Sequence, residues 1–139
     1  MKARSLAALF MAALSAACTI TPRAAPPARV FDVKTPLQQT SDCLVAQLNK
    51  AMSHETKPRG SQEPIPPATH SVRVVDQDKV LEVFPQYPTD IGELYFVRLS
   101  AQDSGTHIEL FSTLGVTKQV EGALSPCTAG SKPSTPAKK

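Results

Sequence analysis

An α+β domain is what the sequence predicts: an N-terminal helix packed on a small antiparallel sheet of about four strands, with a short C-terminal helix. Two observations carry this expectation. Between Leu37 and Met52 the apolar residues recur at helical spacing, and between Val72 and Phe111 they alternate with polar ones in short runs bounded by turn residues. Strands that follow one another through short links lie side by side and antiparallel, and a sheet of this kind buries one face against a helix.

The chain opens with Met1, Lys2, Ala3 and Arg4, continues through a small and apolar run from Leu6 to Ala17, and reaches Cys18. Two positive charges, roughly a dozen apolar residues and a small-residue site form the pattern of a secretory signal. A bilayer-spanning helix needs about 20 apolar residues, so this run is too short for a stable span. Residues 1–17 are therefore expected to be removed.

Leu14, Ser15, Ala16, Ala17 and Cys18 resemble the lipobox of bacterial lipoproteins, where the cysteine is acylated and becomes the first residue. Ser15 stands where that family usually has Leu, and Leu14 lies one place further out. The resemblance implies diacylglyceryl and amide-linked chains on Cys18, and more than one acyl chain turns marginal membrane binding into stable anchoring. In the same family Asp after the cysteine commonly retains a protein at the inner membrane, so Thr19 favours the outer membrane, facing the periplasm. The alternative is ordinary signal-peptidase cleavage after Ser15, Ala16 and Ala17, which leaves Cys18 as a free thiol. With Cys18 given to lipid, Cys43 and Cys127 remain as a pair that an oxidising compartment permits to close. In the chain-entropy account so long a loop stabilises by up to roughly 4.5 kcal/mol; two buried free thiols are the other reading.

Residues 18–34 hold Pro22, Pro26 and Pro27 among alanines and arginines. Such a segment favours an extended conformation at about 3.1 Å per residue, a tether reaching up to roughly 50 Å. Val30, Phe31 and Val33 are its exception, suited to a short strand on the domain or to exposure. The domain is expected over 35–127. Thr35, Pro36 and Gln38 suit a helix start, with the Thr hydroxyl as cap and the Gln reaching back. The helix is expected over 36–53, its apolar face being Leu37, Leu44, Val45, Leu48, Ala51 and Met52, with Cys43 on the flank. Pro58, Gly60, Pro64, Pro66 and Pro67 make 54–68 a long loop, in which Ile65 can dock on the body.

Strands are expected at 72–76 and 79–84 around a turn at Gln77 and Asp78, the second ended by Pro85 and Pro88. The next, 93–100, places Tyr95, Val97 and Leu99 on one face and Leu94, Phe96 and Arg98 on the other. A short loop at Asp103, Ser104 and Gly105 returns the chain along 106–111, Gly105 being suited to positive φ. Val116, Val120, Ala123 and Leu124 have helical spacing within 114–127, weakened at Gly122 and limited by Pro126. That helix would carry Cys127 back to the first one. Residues 128–139 are small, Pro-containing and basic, and read as a disordered tail.

Composition narrows the function. Hydrophobic residues at 41% can build one small core, largely aliphatic because aromatics are 5% and Trp is absent. The formal charge of +3 falls to +1 once Lys2 and Arg4 leave, and residues 37–127 carry 7 basic and 11 acidic side chains, a net −4. An acidic body argues against nucleic acid, which needs a basic face to neutralise phosphates. His54, His70 and His107 do not fall into a zinc or catalytic spacing, and His107 and Glu109, two apart on one strand face, match a solvated polar face equally well. Asp76 and Asp78 flank a turn, where Asp is common for local reasons. The chain has no nucleophile elbow, no phosphate-binding glycine loop and no Cys-x-x-Cys pair. It is thus expected to be non-catalytic, with no cofactor, metal or small-molecule substrate. The expectation is a lipid-anchored envelope module that binds another envelope protein through its sheet or its proline-rich loop. The alternative is a periplasmic inhibitor or immunity-type protein acting on a wall-degrading enzyme.

Overall fold

The structure is a computed structural model, and it describes residues 23, 25–57, 64–113, 117–132 and 134. Five antiparallel strands form one sheet: β1 (Arg29–Val33), β2 (Thr69–Asp76), β3 (Val80–Gln86), β4 (Tyr95–Gln102) and β5 (Gly105–Ser112). Their order is β1-β5-β4-β3-β2, a four-stranded meander with β1 added beside β5. Helices α1 (Leu37–Ala51) and α2 (Thr117–Leu124) pack on the same face, and a 3₁₀ turn, Ser125–Cys127, follows α2.

The core lies between that face and the helices. Leu44 and Leu48 of α1, Met52 at its C-terminal cap, and Val120, Ala123 and Leu124 of α2 meet Phe31, Leu81, Val83, Tyr95, Val97, Leu99, Ile108 and Leu110 of the sheet. The strand residues alternate because successive side chains point to opposite faces. Tyr95, Val97 and Leu99 share the core face, as their spacing predicts. Ala51 departs from the expected apolar stripe and is exposed. The N-terminal turn of α1 instead buries Thr40 and Ser41.

Several expectations need correction. Of the two options for Val30, Phe31 and Val33 the structure takes the strand, β1, so that part of the 18–34 segment belongs to the sheet. Its register, Phe31 opposite Ile108, puts the Phe31 ring into the core, and burial of that ring favours docking over solvation. The Thr35 hydroxyl does not cap α1. The cap position is Pro36, which leaves Thr35 one residue outside it, and the Thr35 carbonyl accepts hydrogen bonds from the Thr40 and Thr106 hydroxyls at 3.2 and 2.8 Å. Gln38 donates forward to Asp42 at 3.0 Å rather than back to the cap. Pro85 does not end β3, which runs on to Gln86. Its last pair with β4 is Val83 with Val97, so Pro85 lies where β3 has a free side and a missing N–H removes no ladder bond.

Turns and ends follow local chemistry. Asp78 adopts φ 60° in the β2–β3 turn, and Gly105 has φ 141° after the Asp103-Ser104 turn. A Cβ at Gly105 would stand 1.9 Å from the Val33 carbonyl oxygen, so the glycine is required by the passage of β1 as well as by the turn. The 54–68 loop is pinned at its base by reciprocal backbone hydrogen bonds between Thr56 and Ile65 at 2.9 and 2.7 Å, and Ile65 packs against the core. Leu114 and Val116, expected in the second helix, lie outside the described residues. Part of the segment expected as a tail over 128–139 packs on the domain. Thr128 is buried with its hydroxyl donating to the Leu124 carbonyl at 3.2 Å, and Ser134 bridges Val30. That bridge covers part of the outer edge of β1. The opposite edge, β2, bears exposed Val72 and Val74 and is interrupted by a bulge between Val74 and Asp76, a feature that discourages pairing with a further strand.

Cys43 of α1 and Cys127, 84 positions apart in sequence, form a disulfide with 5.9 Å between their Cα atoms. It joins the first helix to the turn after the second.

Candidate functional site

The face of the sheet that no helix covers among the described residues carries the most organised side-chain cluster in the molecule. Strand register creates it. Arg73 on β2 stands opposite Glu82 on β3, Glu82 opposite Arg98 on β4, and Arg98 opposite Glu109 on β5, so alternating charges run straight across four strands. Directly opposed unlike charges are favourable cross-strand pairs. Phe96 and Phe111, also opposite each other, stack with centroids 4.6 Å apart and planes 6° from parallel. Both rings are buried although they lie away from the main core.

Glu82 is the centre of the cluster, with 1% of its side chain exposed. Arg73 donates to Oε2 from Nε and Nη2 at 3.1 and 2.7 Å. Arg98 donates to Oε1 from Nε and Nη2 at 3.2 and 2.9 Å. Arg23, from the segment before β1, spans both oxygens, with Nη1 3.4 Å from Oε1 and Nη2 3.1 Å from Oε2. Glu93, in the link between β3 and β4, accepts from Arg23 at 3.1 Å and pairs with Arg73 at 3.5 Å. Each guanidinium also lies over a ring: Arg23 over Phe96 at 4.6 Å, Arg73 over Phe84 at 4.6 Å, and Arg98 over Phe111 at 5.2 Å. Planar cations stack on aromatic faces while their edges still donate in plane. Burial alone would push the Glu82 carboxyl up, but the hydrogen bonds from Arg23, Arg73 and Arg98 outweigh it and hold the pKa down at about 2.

A second polar group is buried on the helix-covered face. The amide oxygen of Asn49 accepts hydrogen bonds from the His70 backbone N–H at 2.7 Å and from His70 Nδ1 at 3.0 Å. An amide oxygen only accepts, so Nδ1 carries the ring proton and Nε2 accepts from the Tyr95 hydroxyl at 2.6 Å. Burial pushes the His70 pKa down from 6.5 to about 4. With the folded value below the unfolded one, this neutral imidazole stabilises the fold fully above pH 6.5, and the contribution is lost as pH falls towards 4. The expected loss between pH 6.5 and 5 is roughly 2 kcal/mol. Urea unfolding across that range should show it, and His70→Gln should flatten the dependence. An equally steep curve for the variant would assign the acid sensitivity to other groups.

The residues singled out from sequence fall in different places. Cys18 lies outside the described residues. Cys43 and Cys127 are joined and lie on the helix side. His107 pairs through Nδ1 with Asp32 Oδ1 at 2.7 Å rather than acting with Glu109, and Glu109 ends the charge row. His54 is exposed next to α1, Asp76 ends β2, and Asp78 lies in the β2–β3 turn. No group of three or more His, Cys, Asp or Glu side chains able to hold a metal occurs among the described residues.

Sequence reasoning missed Arg23, Arg73, Glu82, Glu93, Phe96, Arg98 and Phe111 as one site. A signal was present, because Glu82 and Phe84, Phe96 and Arg98, and Glu109 and Phe111 each place a charge and an aromatic two residues apart, hence on one strand face. Only the register brings the pairs together. No protein-family model, curated protein or solved structure matches this chain.

Proposed function

We propose that this chain is a non-catalytic, lipid-anchored module of the bacterial cell envelope. In this reading it is held through Cys18, more readily at the outer membrane facing the periplasm, and binds another envelope protein through the open face of its sheet. The observation that carries the anchor is the cysteine arithmetic. The disulfide consumes Cys43 and Cys127, and the cysteine left over is the one that ends a signal-like apolar run. The binding role is supported by the open face itself, where charges and rings are held in fixed positions and 35–45% of each arginine side chain still meets solvent. Fixed, complementary charge of this kind gives orientation and selectivity to protein association.

Changing Cys18 to Ala is expected to abolish labelling by a fatty-acid analogue and to move the protein from the membrane fraction to the soluble one. Continued labelling, or unchanged membrane association, would overturn the anchor. For the binding role, a photo-crosslinking residue in place of Ser71 or Ser100, both half-buried on the open face, should capture one dominant envelope protein in cells. Capture spread evenly over abundant proteins would count against it.

A further inference from the structure

Arg23 is held differently from the other two arginines of the cluster. Arg73 and Arg98 sit on strands, and each fills one oxygen of Glu82 with two N–H groups. Arg23 arrives from outside the sheet, 59 residues away in sequence, and bridges the two oxygens at longer range. Its departure would leave Glu82 with four hydrogen bonds from two guanidiniums, so the buried carboxylate would not be stranded. The place it occupies is also complete: two carboxylates at the edge of the guanidinium plane, Glu82 and Glu93, and the Phe96 ring beneath it, braced by Phe111. Bridging two carboxylate oxygens while lying flat on a ring suits a planar fork of donors and not the point charge of lysine.

We infer that Glu82, Glu93 and Phe96 form a binding site for a guanidinium group, and that Arg23 is its resident and exchangeable ligand. This deepens the reading of the open face as a binding surface and names the chemistry of what it accepts, an arginine side chain. It also gives the site a mechanical consequence, which rests on the proposed anchor at Cys18. Arg23 lies five positions beyond Cys18, at most about 18 Å of chain, whereas Arg29, eleven positions beyond it, can stand about 40 Å away when the chain is extended. A docked Arg23 therefore keeps the open face close to the anchored end. A partner that inserts its own arginine releases the tether and lets the domain stand further out.

The test uses the full chain with Cys18→Ser, so that acylation plays no part in the result. A peptide with the sequence of residues 19–28 is titrated into this chain and into the same chain with Arg23→Ala, while the backbone amide signals of Glu82, Glu93 and Phe96 are followed by NMR. The Arg23→Ala chain should bind the peptide saturably, and the chain that retains Arg23 should bind at least about tenfold more weakly, because a short tether supplies its own arginine at millimolar effective concentration. A peptide with Ala in place of the arginine should not bind. Trypsin provides an independent reading, since cleavage after Arg23 should be on the order of fivefold faster when Glu93→Gln weakens docking. Failure of Arg23→Ala to move the Glu93 and Phe96 signals, or equal binding of the two peptides, would overturn the site. Acyl labelling of the unmodified chain reports separately on the anchor, so loss of one conclusion is distinguishable from loss of the other.

Discussion

Replacing Glu82 by Gln is expected to destabilise the domain by about 3 kcal/mol, the lower end of what breaking a buried ion pair costs. Gln keeps the shape of the side chain and one acceptor oxygen, but it removes the buried negative charge that three guanidiniums within 3.4 Å share. Each arginine is partly exposed and can recover some hydration, which keeps the cost from rising further. In a domain of about 100 residues that loss lowers the melting temperature by more than roughly 10 °C. Urea unfolding of the two proteins at pH 7 measures it directly; a difference below about 0.5 kcal/mol would mean that the cluster is ordinary surface charge. The same carboxylate gives an acid signature of its own. Its folded pKa is about 2 against an ordinary 4.5, so its contribution is complete above pH 4.5 and disappears as pH falls through 2. Glu82→Gln should remove that lower step while leaving the His70 step above it in place.

Opening the Cys43–Cys127 bond should have the largest effect of any change on the helix side. The bridge closes a loop of 84 residues, for which the chain-entropy account gives about 4.5 kcal/mol, and measured losses for native disulfides in small domains are of the order of 2–5 kcal/mol. Since domains of this size are stabilised by only about 5–15 kcal/mol, Cys43→Ala with Cys127→Ala is expected to leave a marginal fold. The loss should not be uniform. Residues 117–134 reach the rest of the domain through the disulfide, the packing of Val120, Ala123 and Leu124, the Arg29–Glu121 pair at 3.1 Å and the Ser134 bridge to Val30. Strands β3, β4 and β5 are held by continuous ladders. Hydrogen exchange on the double variant should therefore show α2 amides losing protection before those of the central strands. Simultaneous loss everywhere would mean that the bond stabilises one indivisible unit.

The candidate site was far less legible than the fold. Phe96 and Arg98 read only as the second face of the 93–100 strand, and nothing local distinguishes such a face from a solvated one. Arg23 read as one charge in a proline-rich tether, and Glu93 as the start of a strand that in fact begins at Tyr95. The β1 strand was legible only as an option, because five residues with three apolar side chains do not reveal whether a partner edge exists to receive them. Its partner, β5, lies more than 70 residues further along the chain.

What the sequence determined by itself were the properties that depend on neighbours a few residues away. The helical stripe from Leu44 to Met52, the alternation through Tyr95, Val97 and Leu99, the turns at Asp78 and Gly105, and the separation of Cys43 and Cys127 from the signal-like cysteine belong to this class, since side-chain direction follows local backbone geometry. Tertiary structure decided which strands meet and in what register. Sliding β3 by a single residue would turn Glu82 into the core and Val83 towards Arg73 and Arg98, so burial of Leu81 and Val83 under α1 is what places the carboxylate between its arginines. The charge cluster is thus a consequence of packing on the opposite face of the same strands, and it could be seen only once both faces were in view.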